Sequence, residues 1–425
     1  MCMELSLAER DLKVIWHPFT SQKNTPKPIG IVKGEGIYLI DEEDNRYIDA
    51  ISSWWVTLHG HAHPYIAHKL YEQAKQLEQV IFAGFTHLPA VLLAERLLPL
   101  LPGAFSKVFY SDNGSTAAEV AIKMALQYWW NLGEAKRTKV LALKDGYHGD
   151  TFGSMSASER SIFTRPFHAK LFDVIFIDIN QHLEDCIPNI QLQEVACFIY
   201  EPLIQGASGM KMHPAKQLNQ LLTFLKKHHI VCIADEVMTG FGRTGSLFAS
   251  EQCTENPDII CLSKGLTGGT MALGVTACNQ KIYEAFVTDE RLQTFFHGHS
   301  FTANPLACTA ALASLDLLLY PDCQSNLQNI HALHKAFLVS LLESECSSKI
   351  KNVRQLGTII AFEIKSSNDS YLNTMSGYIT AKALLKGVFI RPLGNTVYLM
   401  PPYCITEEEL RFVYKVIIEI VSDLD

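Results

Sequence analysis

A lysine and an acidic pair each follow a short apolar run of the kind that forms a buried strand. The run Ile259–Leu262 is followed by Ser263, Lys264 and glycines, and "IVCIADE" ends in Asp235 and Glu236. A lysine beside apolar walls has a lowered pKa and becomes a nucleophile toward carbonyl carbons. Buried carboxylates are costly unless they meet a partner. We therefore hypothesise that Lys264 and Asp235 do chemistry; the alternatives are a solvated loop lysine and a pair of helix-capping acids.

A third strand-like run, "KVFYSD", is followed by "NGST" and then by a helical pattern. Gly114 and Ser115 place a flexible turn, a hydroxyl group and free N–H groups at the helix start, which suits an anion. Thr116 and Glu119 have the spacing of a capping box, so an ordinary capped helix is the alternative. An anion site, a carboxylate and an amine at three strand ends are the set that pyridoxal phosphate requires for its phosphate, its pyridinium nitrogen and its Schiff base.

Two other motifs could indicate different chemistry. "TGFGRTG" fits the dinucleotide pattern GxGxxG, but no clear helix opens within it, and acids precede the glycines as well as follow them. "HGHAHP" carries His59, His61 and His63, without an HExxH or a Cys/His spacing. We interpret these histidines as turn and packing residues and predict no metal site.

The segments that must position these residues alternate between strand and helix. Apolar runs such as "KVLALKD", "DVIFID" and "ACFIYEP" alternate with helical patterns such as "AAEVAIKMALQYWW" and "PAKQLNQLLTFLKKHH". This indicates an α/β fold with a mostly parallel sheet covered on both faces, in which ligands bind beyond the carboxyl ends of the strands. Strand patterns near the N terminus and mixed patterns after about residue 325 predict a smaller α+β domain. We expect residues 1–59 and 326–425 to form it, and 60–325 to form the large domain.

Composition and charge limit the classes of protein to consider. The chain has 425 residues, 48% of them hydrophobic, and a formal net charge of −8. No basic tract is present, which argues against a nucleic-acid partner. No run reaches the ~20 apolar residues of a membrane span, and the first sixteen residues lack the apolar core of a secretory signal. Eleven cysteines without a CxxC pair indicate reduced thiols in a cytoplasmic protein.

The segment "ADEVMTGFGRTG" followed by "LSKGLTGG" resembles the signature of the class III aminotransferases, which are fold-type-I pyridoxal-phosphate enzymes. The resemblance covers nearly the whole chain. "SSWWVTLHGHAHP", "EPLIQGASGM", "FFHGHSFTANPLAC" and "RPLGNTVYLMPP" are similar to one branch of that family, the adenosylmethionine–8-amino-7-oxononanoate aminotransferases of biotin synthesis. The resemblance implies a homodimer that converts 8-amino-7-oxononanoate to 7,8-diaminononanoate by ping-pong transamination.

The resemblance also implies roles for matching residues around the cofactor. Lys264 would form the Schiff base with pyridoxal 5'-phosphate and move a proton during the reaction. Asp235 would keep the pyridinium nitrogen protonated. Gly114 and Ser115 would bind the phosphate, and Tyr147 of "DGYHGD" would stack on the cofactor ring.

Further residues would complete the substrate site. Trp54 would line the substrate trench, and Arg391 would bind a substrate carboxylate through its bidentate guanidinium. Gly298, His299 and Ser300 would come from the neighbouring subunit to complete the phosphate and substrate site. Ser300 stands where the family often has Thr, and the hydroxyl group is kept.

One position departs from the pattern of the branch. Enzymes that use adenosylmethionine often carry Tyr in "WHPYT", where this chain has Phe19. A related branch that takes the amino group from lysine also has Phe, and "FFHGHSFT" favours that branch, whereas "SSWW" and "NPLAC" favour adenosylmethionine. The missing hydroxyl removes one hydrogen bond, worth roughly 1 kcal/mol. We expect S-adenosyl-L-methionine as donor, with lysine as the alternative. A class III enzyme acting on ornithine or an ω-amino acid, and a non-catalytic binder of the cofactor, are the other hypotheses.

Overall fold

The structure, a computed structural model, describes residues 5–23, 26–181, 190–365 and 374–424. The helices in these ranges are α1 (Leu7–Asp11), α2 (Pro64–Ala74), α3 (Leu88–Leu97), α4 (Gly114–Asn131), α5 (Phe152–Ala157), α6 (Ala215–Lys227), α7 (Gln280–Glu284), α8 (Pro305–Leu318), α9 (Pro321–Glu343), α10 (Met375–Leu385) and α11 (Glu407–Ser422). The strands are β1 (Ile31–Glu35), β2 (Tyr38–Asp41), β3 (Arg46–Asp49), β4 (Phe105–Ser111), β5 (Lys139–Leu143), β6 (Val174–Ile177), β7 (Val195–Tyr200), β8 (Ile204–Gln205), β9 (Lys211–Met212), β10 (Val231–Asp235), β11 (Ile259–Leu262), β12 (Gly274–Asn279), β13 (Ile350–Leu356), β14 (Ile359–Ile364), β15 (Val388–Phe389) and β16 (Thr396–Leu399). Between β3 and α2, the segment Ser52–Trp55 forms a turn whose Ser53 and Trp54 have non-helical backbone angles.

A seven-stranded sheet with the order β4-β12-β11-β10-β7-β5-β6 forms the main layer. β12 is antiparallel to both of its neighbours, and the remaining pairs are parallel. Every residue of β7, β10 and β11 is buried, as expected for strands covered by helices on both faces. The predicted α/β fold with a mostly parallel sheet is confirmed, and the parallel strands end at one common edge.

Helix α4 packs its alanine-rich side against this sheet and contacts β7, β10, β11 and β12. Its N-cap is Asn113, whose side-chain oxygen accepts from Thr116 N at 3.0 Å while Asn113 N donates to Thr116 Oγ1 at 3.1 Å. The predicted capping box of Thr116 with Glu119 is therefore wrong. Glu119 instead accepts hydrogen bonds from Thr151 Oγ1 and Ser154 N, because the loop after β5 folds back over the helix.

Two smaller sheets bring the N-terminal and C-terminal parts of the chain together. One has the order β1-β2-β3-β15, in which β3 and β15 are parallel and Asp49 lies opposite Phe389. The other has the order β13-β14-β16 and is antiparallel. Both termini therefore contribute to one sheet, while the boundaries 1–59, 60–325 and 326–425 stay a prediction.

Two findings on the described ranges concern membranes and cysteines. No single helix there is long and apolar enough to cross a membrane; α8 and α9 meet that length and composition only as a pair bent by 70° at their junction. The nine cysteines in these ranges are all free thiols.

Candidate active site

The ends of β4, β10 and β11 meet at one edge of the large sheet, around a cleft of about 680 Å³. Five residues that the sequence singled out line this cleft: Gly114, Ser115, Tyr147, Asp235 and Lys264. They come from four segments of the chain, which lie at or just after the ends of β4, β5, β10 and β11, and the sheet topology brings them together because parallel strands end at the same edge.

Lys264 follows β11 and begins a short 3-10 turn with a left-handed backbone angle, φ +44°. That backbone conformation is uncommon for residues other than glycine, and the exceptions are frequent at functional sites. Its Nζ lies 4.7 Å from the centroid of the Trp55 ring, and no described residue accepts a hydrogen bond from it. Burial lowers the pKa of the Lys264 amine, although Asp235 and Glu201 oppose the shift. The amine is therefore available as a nucleophile and a base.

Asp235, the last residue of β10, is 4% exposed and forms a pair with His148. His148 Nδ1 donates to Asp235 Oδ2 at 2.7 Å, and Val237 N donates to Oδ1 at 3.1 Å. Among described residues, His148 Nε2 has no partner although it is buried. The histidine orients the carboxylate toward the cleft, and the sequence analysis missed it. Its position directly after Tyr147 in "DGYHGD" could have indicated that His148 belongs to the site.

Glu201, which follows β7, is a second buried carboxyl group that the sequence analysis missed. It accepts a hydrogen bond from Tyr147 N at 3.0 Å and another from Gly206 N at 3.0 Å. Burial raises the pKa of this carboxyl group to about 7, with His148 opposing the shift. Glu201 thus fixes the backbone of Tyr147, and its position at a strand end in "FIYEP" was the signal that could have found it.

The first turn of α4 provides hydrogen-bond donors toward the cleft. The N–H groups of Gly114 and Ser115 lie in the first helical turn, where no helical carbonyl is in reach. Asp150 N donates to Ser115 Oγ at 3.1 Å, so the loop after β5 is tied to this turn. Gly149 has φ +131°, and a Cβ there would collide with Ser115. The arrangement suits an anion bound at a helix N terminus.

Tyr147 lies half-buried at the wall of the cleft. Burial raises the pKa of its hydroxyl group far above the usual value, and a hydrogen bond to Asp150 adds to the shift. The phenol therefore stays neutral and presents an aromatic face. Its predicted role in stacking on a cofactor ring stays a prediction.

A second cluster joins three predicted residues that are outside the lining of the cleft. The rings of Phe19 and Trp54 pack edge to face with centroids 5.6 Å apart, and the Arg391 guanidinium lies 4.8 Å from the Trp54 ring centroid. Trp55, which the sequence analysis did not single out, lines the cleft and contacts Lys264. The two tryptophans therefore connect the cleft with Arg391.

Gly298, His299 and Ser300, all of them described, are not among the residues that line the cleft of the same chain. His299 N donates to Thr302 Oγ1 at 3.0 Å, and Phe301 N donates to His299 Nδ1 at 3.2 Å. His299 Nε2 is buried and has no partner within the described ranges. The contribution of these residues to a neighbouring subunit stays a prediction.

The remaining motifs have structural roles. Glu236 is fully buried and accepts hydrogen bonds from Thr239 Oγ1, Ala249 N and Ser250 N at 2.7–2.8 Å, which holds the loop of "TGFGRTG". Arg243 in that loop is buried and donates to the Pro401 carbonyl at 2.8 Å. Over the described ranges, no group of three or more His, Cys, Asp or Glu side chains could hold a metal ion.

Comparison with known proteins agrees with this geometry. The family model described as aminotransferase class-III matches residues 19–421. Adenosylmethionine-8-amino-7-oxononanoate aminotransferase of Synechococcus elongatus is 44% identical, with 96% of this chain and 99% of the relative covered. The enzyme of the same name from Helicobacter pylori is 36% identical, with 100% and 99% covered.

Solved structures give the same result. The crystal structure of adenosylmethionine-8-amino-7-oxononanoate aminotransferase from Methanocaldococcus jannaschii superposes with a TM-score of 0.93 at 35% identity, covering 99% of both chains. A PLP-bound amine transaminase from an uncultivated Pseudomonas species has a TM-score of 0.87 at 30% identity, covering 96% of this chain and 98% of the other. With a family match over almost its entire length and relatives above 30% identity, this chain belongs to the class III aminotransferase family.

Proposed function

We propose that this protein is a pyridoxal-phosphate-dependent aminotransferase that converts 8-amino-7-oxononanoate to 7,8-diaminononanoate in biotin biosynthesis, with S-adenosyl-L-methionine as amino donor. The observation that carries the chemistry is the convergence of Lys264, the His148–Asp235 pair and the first turn of α4 on one cleft. The relatives named for this reaction, at 33–44% identity over nearly full length, support the substrate.

The residues of the cleft fit the cofactor group by group. The free N–H groups of Gly114 and Ser115 match a phosphate dianion. A Cβ on Gly114 would lie 2.5 Å from Val237 Cγ1, so this position needs a residue without a side chain. Asp235 matches a pyridinium nitrogen, and Lys264 matches the aldehyde, because each faces the cleft and Lys264 has no acceptor among described residues.

When bound, pyridoxal phosphate supplies a conjugated ring that accepts the electron pair left behind when the amine-bearing carbon loses its proton. Lys264 Nζ, whose pKa burial lowers, is the base that takes up and returns that proton. Asp235, oriented by His148, holds a proton at the ring nitrogen. Glu201 accepts a hydrogen bond from the backbone N–H of Tyr147 and thereby fixes that residue, whose phenol would lie against the cofactor ring.

Arg391 is suited to the carboxylate of the long keto acid. Its guanidinium lies against Trp54, is exposed, and has no acceptor among the described residues. Stacking on an aromatic face leaves the N–H edges free for bidentate binding of a carboxylate. Since Trp55 contacts Lys264 and Trp54 contacts Arg391, the chain of the keto acid would run from Lys264 past the two rings to Arg391.

In this proposal the choice of amino donor depends on the surroundings of Phe19, which is 59% exposed and packs on Trp54. Phe19→Tyr restores one hydroxyl group, worth roughly 1 kcal/mol or about a fivefold change in the ratio of donor efficiencies. The comparison of kcat/KM for S-adenosyl-L-methionine and for lysine in both variants measures this. An unchanged ratio would mean that Phe19 does not set the donor.

A homodimer with shared active sites is part of the proposal. Several large apolar side chains with more than 60% exposure support it, among them those of Ile81, Phe85, Leu88, Phe296 and Phe301. Gly298, His299 and Ser300 would then complete the partner's cleft. A cytoplasmic location is also part of the proposal, and the free thiols of the described cysteines support it because they agree with a reducing compartment.

The test uses the cofactor-loaded protein. Candidate amines are added one at a time while the visible absorbance of the bound cofactor is followed, and 7,8-diaminononanoate is then assayed as product. We expect S-adenosyl-L-methionine to change the spectrum and 8-amino-7-oxononanoate to restore it. A response to ornithine or 4-aminobutyrate alone would assign another class III substrate, and bound cofactor without response to any amine would indicate a non-catalytic binder.

A further inference from the structure

A fully buried carboxylate stands just before the turn that carries Trp54 and Trp55. Asp49, the last residue of β3, has 0% exposure. Its Oδ2 accepts from Ser53 N at 2.6 Å, from Ser53 Oγ at 3.1 Å and from His61 Nε2 at 3.0 Å, and its Oδ1 accepts from Ile51 N at 3.3 Å. Two of these donors belong to Ser53, in the turn Ser52–Trp55, and a third is the N–H group of Ile51, which directly precedes that turn.

The turn that Asp49 holds is strained. Ser52, Ser53 and Trp55 have φ values of +54°, +60° and +69°, in the left-handed region that side chains rarely adopt. Such angles persist only where the surroundings fix them. Besides Asp49, the turn is held by Ser52 Oγ, which donates to the Met400 carbonyl at 2.7 Å.

The conformation of this turn sends the two tryptophans in different directions. Trp55 Nε1 donates to Tyr398 OH at 2.8 Å, and its ring lies 4.7 Å from Lys264 Nζ. Trp54 instead contacts Arg391. A relaxed turn would move both rings at once, because their directions are set by the same few backbone angles.

His61 supports the carboxylate from the other side. His61 N donates to the Gly36 carbonyl at 2.6 Å, and a Cβ on Gly34 would lie 2.5 Å from His61 Cβ. Gly34 of "KGEG" thus makes room for the histidine against β1. This explains one histidine of "HGHAHP" that had no chemical role.

We propose that Asp49, supported by His61, is a positioning residue that fixes the Ser52–Trp55 turn and thereby sets the distance and direction between the amine at Lys264 and the carboxylate site at Arg391. The proposal rests on the proposed function, since it concerns the substrate trench of that reaction. Asp49 is fully buried and does not line the cleft, so it acts through the two tryptophans.

The test compares Asp49→Asn with Asp41→Asn. Asp41 is a matched control, because it is 7% exposed, lies in the same sheet and also accepts several hydrogen bonds, from Glu43 N, Asn45 and Tyr47 OH. It has no contact with the Ser52–Trp55 turn. Amide hydrogen exchange of residues 50–58 is measured by mass spectrometry on the cofactor-loaded protein, together with KM for 8-amino-7-oxononanoate and the affinity for pyridoxal phosphate.

We expect Asp49→Asn to speed exchange in residues 50–58 and to raise KM about tenfold, with cofactor affinity unchanged. Asp41→Asn should speed exchange only near residues 41–47 and leave KM unchanged. Ser53→Ala, which removes only the hydroxyl contact, gives a smaller change in the same direction and serves if Asp49→Asn does not fold.

Unchanged exchange at 50–58, or faster exchange with an unchanged KM, would overturn the proposal, as would equal KM effects in the two Asn variants. If the wild-type protein does not use 8-amino-7-oxononanoate at all, the proposed function fails. KM is then measured for the keto acid it does use, so the anchoring role is still decided.

Discussion

Asp235→Asn tests the electrostatic role of the carboxylate at the end of β10. The substitution keeps the shape and the acceptor for Val237 N, but removes a charge that is 4% exposed and lies 2.7 Å from His148 Nδ1. Hydrogen bonds to charged groups contribute about 1.5–3 kcal/mol, against about 0.5–1.5 kcal/mol for neutral ones. The difference, about 1–2 kcal/mol, corresponds to a half-reaction that is roughly 5- to 30-fold slower.

The assay is stopped-flow absorbance of the cofactor-loaded protein after mixing with saturating amino donor, which reports the first half-reaction alone. Glu236→Gln is the matched control, because Glu236 is the adjacent buried carboxylate and its three hydrogen bonds go to the glycine loop. That variant should lose about 1–3 kcal/mol of unfolding free energy, as expected for disrupted buried hydrogen bonds, and keep its half-reaction rate.

Two results would refute this reasoning. If Asp235→Asn has the wild-type half-reaction rate, the carboxylate does not act on the ring nitrogen. If Glu236→Gln slows the half-reaction as much as Asp235→Asn does, the effect reflects general damage to this edge of the sheet and not the charge of Asp235.

Three further predictions concern other groups of the site. Lys264→Ala should bind pyridoxal phosphate, seen by absorbance and equilibrium dialysis, but lack steady-state turnover; normal turnover would show that another group is the nucleophile. Arg391→Ala should raise KM for the keto acid by about one to two decades, since a charge-assisted contact contributes roughly 1.5–3 kcal/mol; an unchanged KM would contradict carboxylate binding there. Burial raises the pKa of Glu201 in the folded protein from its usual value of 4.5 to about 7, so the folded protein binds a proton that the unfolded chain releases, and this contribution to stability is lost as pH rises from about 4.5 to 7. Glu201→Gln should flatten the decline in unfolding free energy over that window, measured by urea denaturation of the cofactor-free protein at pH 5, 6, 7 and 8, and an identical slope in both proteins would contradict the assignment.

The sequence alone was sufficient for the fold class and for Asp235, Lys264, Gly114 and Ser115 at three of the strand ends, but not for Glu201 at a fourth. Continuous apolar runs indicate strands of a sheet that is buried on both faces. Because parallel strands place their carboxyl ends at one edge of the sheet, Asp235 and Lys264 could be expected near each other without coordinates. The class III resemblance was also readable in the sequence, and the family match over residues 19–421 confirms it.

The partners of those groups could not be read from periodicity. His148 and Asp235 are 87 positions apart, and Glu201 meets Tyr147 across 54 positions. Local patterns carry no information on which loop folds back over which strand end. The same limit explains the capping error, because the side chain that caps α4 is chosen by its backbone angles and not by spacing alone.

The clearest case is the pair of tryptophans in "SSWW". Spacing cannot tell which ring faces Lys264, because the direction of each side chain depends on left-handed backbone angles at Ser52, Ser53 and Trp55. Those angles are held by a carboxylate at the end of β3 and by the parallel pairing of β3 with β15, which also brings Arg391 beside Trp54. The sequence by itself determined that the site contains Lys264, Asp235 and the first turn of α4, whereas the tertiary structure decided their neighbours, since strained turns and long-range pairing are stabilised only by the assembled fold.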